Sequence, residues 1–136
     1  MSIVYQLEPN LSIDEFISVL NRSTLGERRP VHDRLRIEQM LKNADLILTA
    51  RKESLLVGVS RAITDFSFCT YLSDLAVHEA FQKLGIGREL IHRTHTAAGL
   101  MTRLILISAP KARTYYQHIG LIPHDSCWMV DPVKPA

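Results

Sequence analysis

The chain has 136 residues, is 46% hydrophobic and 22% charged, and carries a formal net charge of +2. That length fits one compact domain with its own core, expected over residues 1–136, and the weak charge excludes the basic stripe of a nucleic-acid binder. No apolar run reaches membrane-spanning length, and Met1 to Pro9 lacks the basic start and apolar stretch of a secretory leader, so no membrane partner and a cytoplasmic location are expected, with Cys69 and Cys127 as reduced, packed thiols.

Ile3 to Leu7 is β-prone and suits a sheet edge. Ser12 and Glu15 have the spacing of a capping box, and Leu11 with Phe16 that of a hydrophobic staple. Ile13, Phe16, Ile17 and Leu20 then give one apolar face at helical spacing, which the polar stretch from Asn21 to Pro30 ends. Asp33 can cap a second helix with Ile37, Met40, Leu41 and Ala44 facing inward.

Leu46 to Ala50 reads as a buried strand, Arg51 to Ser54 as a hairpin turn, and Leu55 to Thr64 as a longer strand whose isolated Gly58 marks a bulge. Thr70 to Val77 makes the next strand. Gly87 to Ala98 is helical, with Leu90, Ile91, Thr94, Ala97 and Ala98 inward. Leu104 to Ile107 forms an apolar strand. A short helix after Pro110 carries Ala112, Tyr115, Tyr116 and Ile119 on one face and ends at Gly120. Cys127 to Val130 is expected as a last strand. The order predicts a mixed α/β (α+β) fold: a largely antiparallel sheet with helices on both faces.

The richest stretch is Gln82-Lys83-Leu84-Gly85-Ile86-Gly87-Arg88, between a strand and a helix. Two glycines spaced by one residue at a helix start leave main-chain N–H groups unshielded, and these add to the positive end of the helix dipole. Such a turn suits phosphate oxygens, and Lys83 and Arg88 flank it. The spacing alone fits a tight strand-to-helix connection equally well. It is neither a Walker loop, which needs four residues between glycines followed by Lys-Ser/Thr, nor a dinucleotide fingerprint, because Leu90 stands where the third glycine belongs.

Gln82-x-x-Gly85-x-Gly87 resembles the Gln/Arg-x-x-Gly-x-Gly/Ala signature of the GNAT superfamily of acyl-CoA-dependent N-acetyltransferases. Ala112-Arg-Thr-Tyr-Tyr-Gln-His-Ile-Gly-Leu121 resembles that family's later Ala-x-x-hydrophobic-Tyr-x-x-x-Gly-Phe segment, and the similarity covers about Leu46 to Leu121. The resemblance implies a central sheet of about six to seven strands flanked by about four helices. It also implies transfer of the acetyl group of acetyl-CoA, as cosubstrate and without a metal, to a primary amine of a small molecule or peptide. It allows a homodimer. A binding module for acyl-CoA without turnover is the alternative, and a nucleotide-binding protein a third reading.

Residue by residue, the resemblance places the CoA pyrophosphate on the backbone of Gln82, Lys83, Leu84, Gly85, Ile86, Gly87 and Arg88. It places the pantetheine arm against main-chain groups of Leu75 and Val77, with an N–H at or beside Leu75 for the oxyanion. Tyr116 matches the family tyrosine that protonates the departing thiolate. Asp74 is the catalytic candidate for a base or amine-steering group, although alternation sets it on the face opposite Leu75 and a salt-bridged carboxylate fits as well. Asp65, Glu27 and His78 are weaker candidates. Ala109 stands where the family often has an asparagine, and Leu121 where it has a phenylalanine.

His92 and His95, three apart on a helix, are expected to face solvent, since no third metal ligand is evident. The arginines between Arg22 and Arg36 read as a solvated loop on the acceptor side. Phe66, Phe68 and Tyr71 could wall an acceptor pocket, with core packing expected for at least two of them.

Overall fold

The structure, a computed structural model, describes residues 2–134; Met1 and residues 135–136 of the expected domain span lie outside it. Five strands form one sheet in the order β1-β2-β3-β4-β5: β1 (Val4–Leu7), β2 (Leu46–Lys52), β3 (Leu55–Thr64), β4 (Cys69–Val77) and β5 (Arg103–Ile105). The first four pair antiparallel, and β5 joins β4 in parallel. The helices are α1 (Ile13–Arg22), α2 (Arg34–Lys42), α3 (Ile86–Ala98) and α4 (Arg113–His118).

Local chemistry sets the starts of α1 and α2. Ser12 Oγ accepts from the Glu15 N–H at 3.1 Å, and Asp33 Oδ1 from the Arg36 N–H at 3.1 Å. Glu15 meets the Ser12 hydroxyl and Arg51, so its carboxylate links α1 to β2. Phe16, Val19 and Leu20 of α1 and Ile37 and Leu41 of α2 pack on Ile47, Leu56, Val59 and Ala76 of the sheet. The other face of the sheet takes Ile86, Leu90, Ile91 and Ala98 of α3 against Leu46, Leu48, Ala50, Val57, Ala62 and Leu72. Ser60 Oγ meets Thr94 Oγ1 at 2.6 Å, which fixes α3 lengthwise over β3.

Two bulges govern which side chains reach which face. Between β2 and β3, Ala50 pairs with Gly58 and Arg51 with Leu56, leaving Val57 as the extra residue beside the expected Gly58. Between β3 and β4, Arg61 pairs with Asp74 and Ala62 with Leu72, leaving Ser73 extra. Leu72 therefore joins the α3 side whereas Asp74 and Ala76, although also even-numbered, turn to the α1/α2 side.

Several expectations need correction. The strand at Leu104 to Ile107 shortens to Arg103–Ile105, because β4 and β5 part after Tyr71 and Ile105. Cys127 to Val130 forms no strand; Trp128, Met129 and Val130 are exposed, and propensity without a ladder partner does not make a strand. Among the described residues the sheet thus has five strands rather than the six to seven expected. Cys69 and Cys127 are both exposed, since Cys69 opens β4 beside a surface turn and Cys127 lies in that unpaired segment. Phe66 and Phe68 occupy the same turn and are exposed; Tyr71 on β4 is exposed too, but it lines the cleft where β4 parts from β5. No helix of the described residues is long and apolar enough to cross a membrane.

Arg51 gathers the start of α1 and the end of β1: its Nε and Nη2 donate to Glu8, and its Nη1 to Glu15 at 2.7 Å. The Arg51 hydrogen bonds hold the Glu8 carboxyl down at about 2, and Glu15 is lowered for the same reason. A depressed carboxyl stabilises the fold above its unfolded value and ceases to do so as pH falls through the folded one. The thermal midpoint should therefore drop as pH falls from about 4.5 to about 2, and Glu8→Gln should flatten that part of the profile; a profile unchanged by the substitution would remove Glu8 from acid sensitivity.

Candidate functional site

β4 and β5 pair only at Cys69–Arg103, Thr70–Leu104 and Tyr71–Ile105. Beyond this point β4 keeps β3 on one side only, and the chain leaving β5 runs away from it. Between them opens a cleft of about 710 Å³, with Leu75 on one wall, Leu106 and Tyr116 on the other, and Gln82 at one end. The segment from Ser23 to Arg29, which includes a 3-10 turn at Leu25–Arg28, closes another side.

Main-chain groups of β4 face this gap. The Val77 carbonyl accepts from Gln82 Nε2 at 3.1 Å and so points away from β3. In an antiparallel ladder, residues two apart point their N–H and C=O the same way, which aims those of Leu75 into the cleft. Gln82 thus uses its side chain to join the glycine turn to the end of the strand.

The turn itself has Lys83 at φ 65° and Gly85 at φ 83°, with Gly85 as the N-cap of α3. Gly85 has no side chain to cap that helix end, and the first N–H groups of α3 lack an intrahelical partner; the Tyr115 hydroxyl lies over them and accepts from the Arg88 N–H. Gln82, Lys83, Leu84, Gly85 and Arg88 are exposed, and Ile86 and Gly87 are buried. A Cβ built on Gly87 would lie 2.9 Å from the Tyr115 hydroxyl, so glycine there lets Tyr115 rest on the turn. The single face expected for Ala112, Tyr115, Tyr116 and Ile119 therefore splits, with Tyr115 on the turn and Tyr116 toward the core. The adjacent tyrosine pair was the available signal, since residues one apart on a short helix reach different walls.

Tyr116 is half-buried, packs with the α3-side core and meets Tyr115 edge-on at a ring separation of 5.3 Å. Burial, and secondarily Tyr115, pushes its phenol above the ordinary tyrosine value, so it stays protonated and able to donate through neutral pH.

Asp74 sits differently from the expected base. It is fully buried on the α1/α2 side, with Oδ1 accepting from Arg29 Nε and Oδ2 from Arg61 Nε, both at 2.5 Å. With both oxygens engaged and no exposed surface, the carboxylate offers nothing to a molecule in the cleft. The weaker candidates separate clearly. Asp65 accepts from the N–H groups of Ser67, Phe68 and Cys69, which lower its carboxyl and build the β3–β4 turn. His78 Nδ1 accepts from the Ala80 N–H. Glu27 alone of these lines the cleft, where Arg28, Arg29 and Lys111 also lie. Glu27 and the loop arginines thus lie on the expected side, but against the cleft rather than in solvent, because the fold closes the loop over the sheet; Lys111, from the turn before α4, carried no signal in the sequence.

His92 is exposed as expected, but His95 is half-buried, its Nε2 at 2.7 Å from the Thr102 carbonyl, which corrects the solvent-facing expectation. No group of three His, Cys, Asp or Glu residues that could hold a metal ion occurs among the described residues.

Residues 23–131 match the model of the acetyltransferase (GNAT) domain. The chain belongs to the GNAT acetyltransferase family. An uncharacterised N-acetyltransferase, ycf52, from Gracilaria tenuistipitata var. liui is 28% identical over 98 residues, which span 70% of this GNAT chain and 54% of that protein. The chain thus spans about half the length of the curated relatives it matches. A GNAT-family acetyltransferase from Streptococcus pneumoniae TIGR4 shares the fold at a TM-score of 0.76 with 18% identity, covering 98% of this chain and 100% of that one. The aminoglycoside N-acetyltransferase AAC(6')-Iy in complex with CoA does so at 0.72 with 14% identity, over 96% and 95%.

The conformation of this GNAT turn makes a direct prediction. Gly85 has a left-handed φ and nothing within 4 Å of a built Cβ, so the cost of a side chain there is backbone strain alone. Gly85→Ala should lose roughly 1–2 kcal/mol of stability in urea denaturation, and Gly85→Asn less, because asparagine tolerates that region. Equal losses for the two would remove backbone strain as the cause.

Proposed function

We propose that this GNAT domain transfers the acetyl group of acetyl-CoA to a primary amine, on a small molecule or a peptide, by direct attack of the amine on the thioester. One observation carries the reading: the gap left where β4 parts from β5 is bordered by outward-pointing main-chain groups at the Leu75–Val77 end of β4, by Tyr116, and by Gln82, the first residue of the turn that leads into α3. The AAC(6')-Iy complex with CoA, which shares this fold, supports it.

In this reading, the N–H groups at Gly85 to Arg88 hold the pyrophosphate at the positive end of the helix dipole, with Lys83 and Arg88 beside them. Tyr115 yields its place on Gly87 to the phosphates. Leu75 and Val77 bind the amide-bearing arm as a neighbouring strand would. The N–H at or beside Leu75 stabilises the oxyanion that forms as the amine attacks, and Tyr116 gives its proton to the departing thiolate. Glu27, a carboxylate lining the cleft, receives the amine's proton directly or through water.

Thiol release measured with acetyl-CoA and a panel of amines tests the reading. Amine-dependent release is expected; stabilisation by acetyl-CoA without release across the panel would favour a binding module. Tyr116→Phe should lower turnover at least tenfold, about 1.4 kcal/mol of barrier, with acetyl-CoA affinity little changed. An unaltered rate would take the acid role from Tyr116. Gly87→Asp should weaken acetyl-CoA binding, because it sets bulk and negative charge where the pyrophosphate would sit; wild-type affinity would mean that the turn has another use.

A further inference from the structure

Arg29 spans the acceptor-side loop and the strand that borders the cleft. Its Nε donates to Asp74 Oδ1 at 2.5 Å, its Nη2 to the Ser73 carbonyl at 2.7 Å, and its Nη1 to the carbonyl of its neighbour Arg28 at 2.9 Å. Ser73 is the bulged residue, so Arg29 takes a carbonyl that stands outside the β3–β4 register. From beneath, Arg61 holds the other Asp74 oxygen and also donates to Ser73 Oγ at 2.9 Å and the Met40 carbonyl at 3.4 Å. The loop at 23–29, the end of α2, the bulge of β4 and β3 are thereby joined through one buried carboxylate.

The charges do not cancel. Asp74 neutralises one of its two arginines, and Arg29 keeps part of its side chain open to solvent at the cleft wall. Arg28 lines the same wall and balances Glu27, the carboxylate there among the described residues, while Lys111 lines the cleft from the turn that leads into α4. The acceptor side therefore carries excess positive charge on a wall whose position is fixed. Such a wall repels a polycation and attracts an amine with a carboxylate elsewhere in the molecule.

We propose that Arg29, held by Asp74 and the Ser73 carbonyl, is a positioning and specificity-determining residue that sets the acceptor wall and selects amines bearing a carboxylate over polycationic amines. This rests on the reading of the cleft as an acetyl-transfer site. Arginine is required at 29 because only its planar fork reaches the carboxylate and the carbonyl together; lysine keeps the charge and loses the second bond.

Steady-state thiol release with acetyl-CoA, comparing a carboxylate-bearing amine such as an amino-acid amine with a polyamine, reads the selectivity. The unaltered protein should favour the former at least tenfold in kcat/KM. Arg29→Ala should raise KM for the carboxylate-bearing amine at least tenfold, narrow or reverse the preference, and leave acetyl-CoA affinity within about twofold. Arg29→Lys should recover less than half of the lost selectivity. Asp74→Asn should act through KM as well; a fall in kcat alone, with loss of the ascending limb of the pH–rate profile, would make Asp74 a base and overturn the assignment. A preference for the polyamine in the unaltered protein, or selectivity unchanged in Arg29→Ala, would also overturn it. Hydrogen exchange needs no activity: the amides of residues 23–29 should exchange at least tenfold faster in Arg29→Ala and Asp74→Asn, with α3 unaffected. Thiol release absent from the unaltered protein, with that local exchange increase present, defeats the functional reading and keeps Arg29 as the anchor of the wall; exchange unchanged at 23–29 defeats the anchor itself.

Discussion

Beyond Tyr71, β4 has a hydrogen-bonded strand on one side only, and everything at the site depends on that. A strand edge inside a protein leaves main-chain donors and acceptors that require partners. Here the edge is used piecemeal. Arg29 takes the Ser73 carbonyl and Gln82 takes that of Val77, while the groups at Leu75 between them remain directed into the cleft. The gap can persist because α1, α2 and α3 clamp β3 and β4 from both faces, so the sheet does not need β5 along its full length for support.

The bulge at Ser73 turns that edge into a two-sided device. Without the extra residue, Asp74 and Leu72 would share a face, and the carboxylate would lie among Leu46, Leu48 and Leu90. With it, Asp74 drops between Arg29 and Arg61 under the α1/α2 layer while Leu75 and Val77 keep their place on the α3 side. The inversion explains why strict alternation along β4 places Leu75 and Asp74 correctly relative to each other, yet cannot say what Asp74 touches.

Where the physics is local, the sequence was legible. The Ser12 and Asp33 caps, the apolar faces of α1 and α3, the bulge near Gly58 and the turn from Gln82 to Gly87 all follow from neighbours within a few residues. Where a feature depends on distant partners, it was not. Cys127 to Val130 has strand propensity but no neighbour to pair with, and Phe66 and Phe68 are apolar residues on a turn held by Asp65 rather than core. Arg29 and Asp74 stand far apart in the chain, and no spacing rule connects them. For the same reason the loop arginines read as solvated surface, although Arg28 and Arg29 line the cleft.

A buried carboxylate between two guanidinium groups is a poor device for stability alone. Desolvating three charges offsets most of their attraction, and apolar groups of like volume often serve as well. What an ion pair supplies that apolar packing does not is a fixed direction and distance. At this position, direction and distance are what the cleft lacks from its own strands, since β4 and β5 have separated and cannot set the spacing of its walls. The triad replaces the missing ladder: it ties the loop at 23–29 to β4 at the bulge, where the strand leaves its partner, and so gives rigidity to the side of the cleft that the sheet has released.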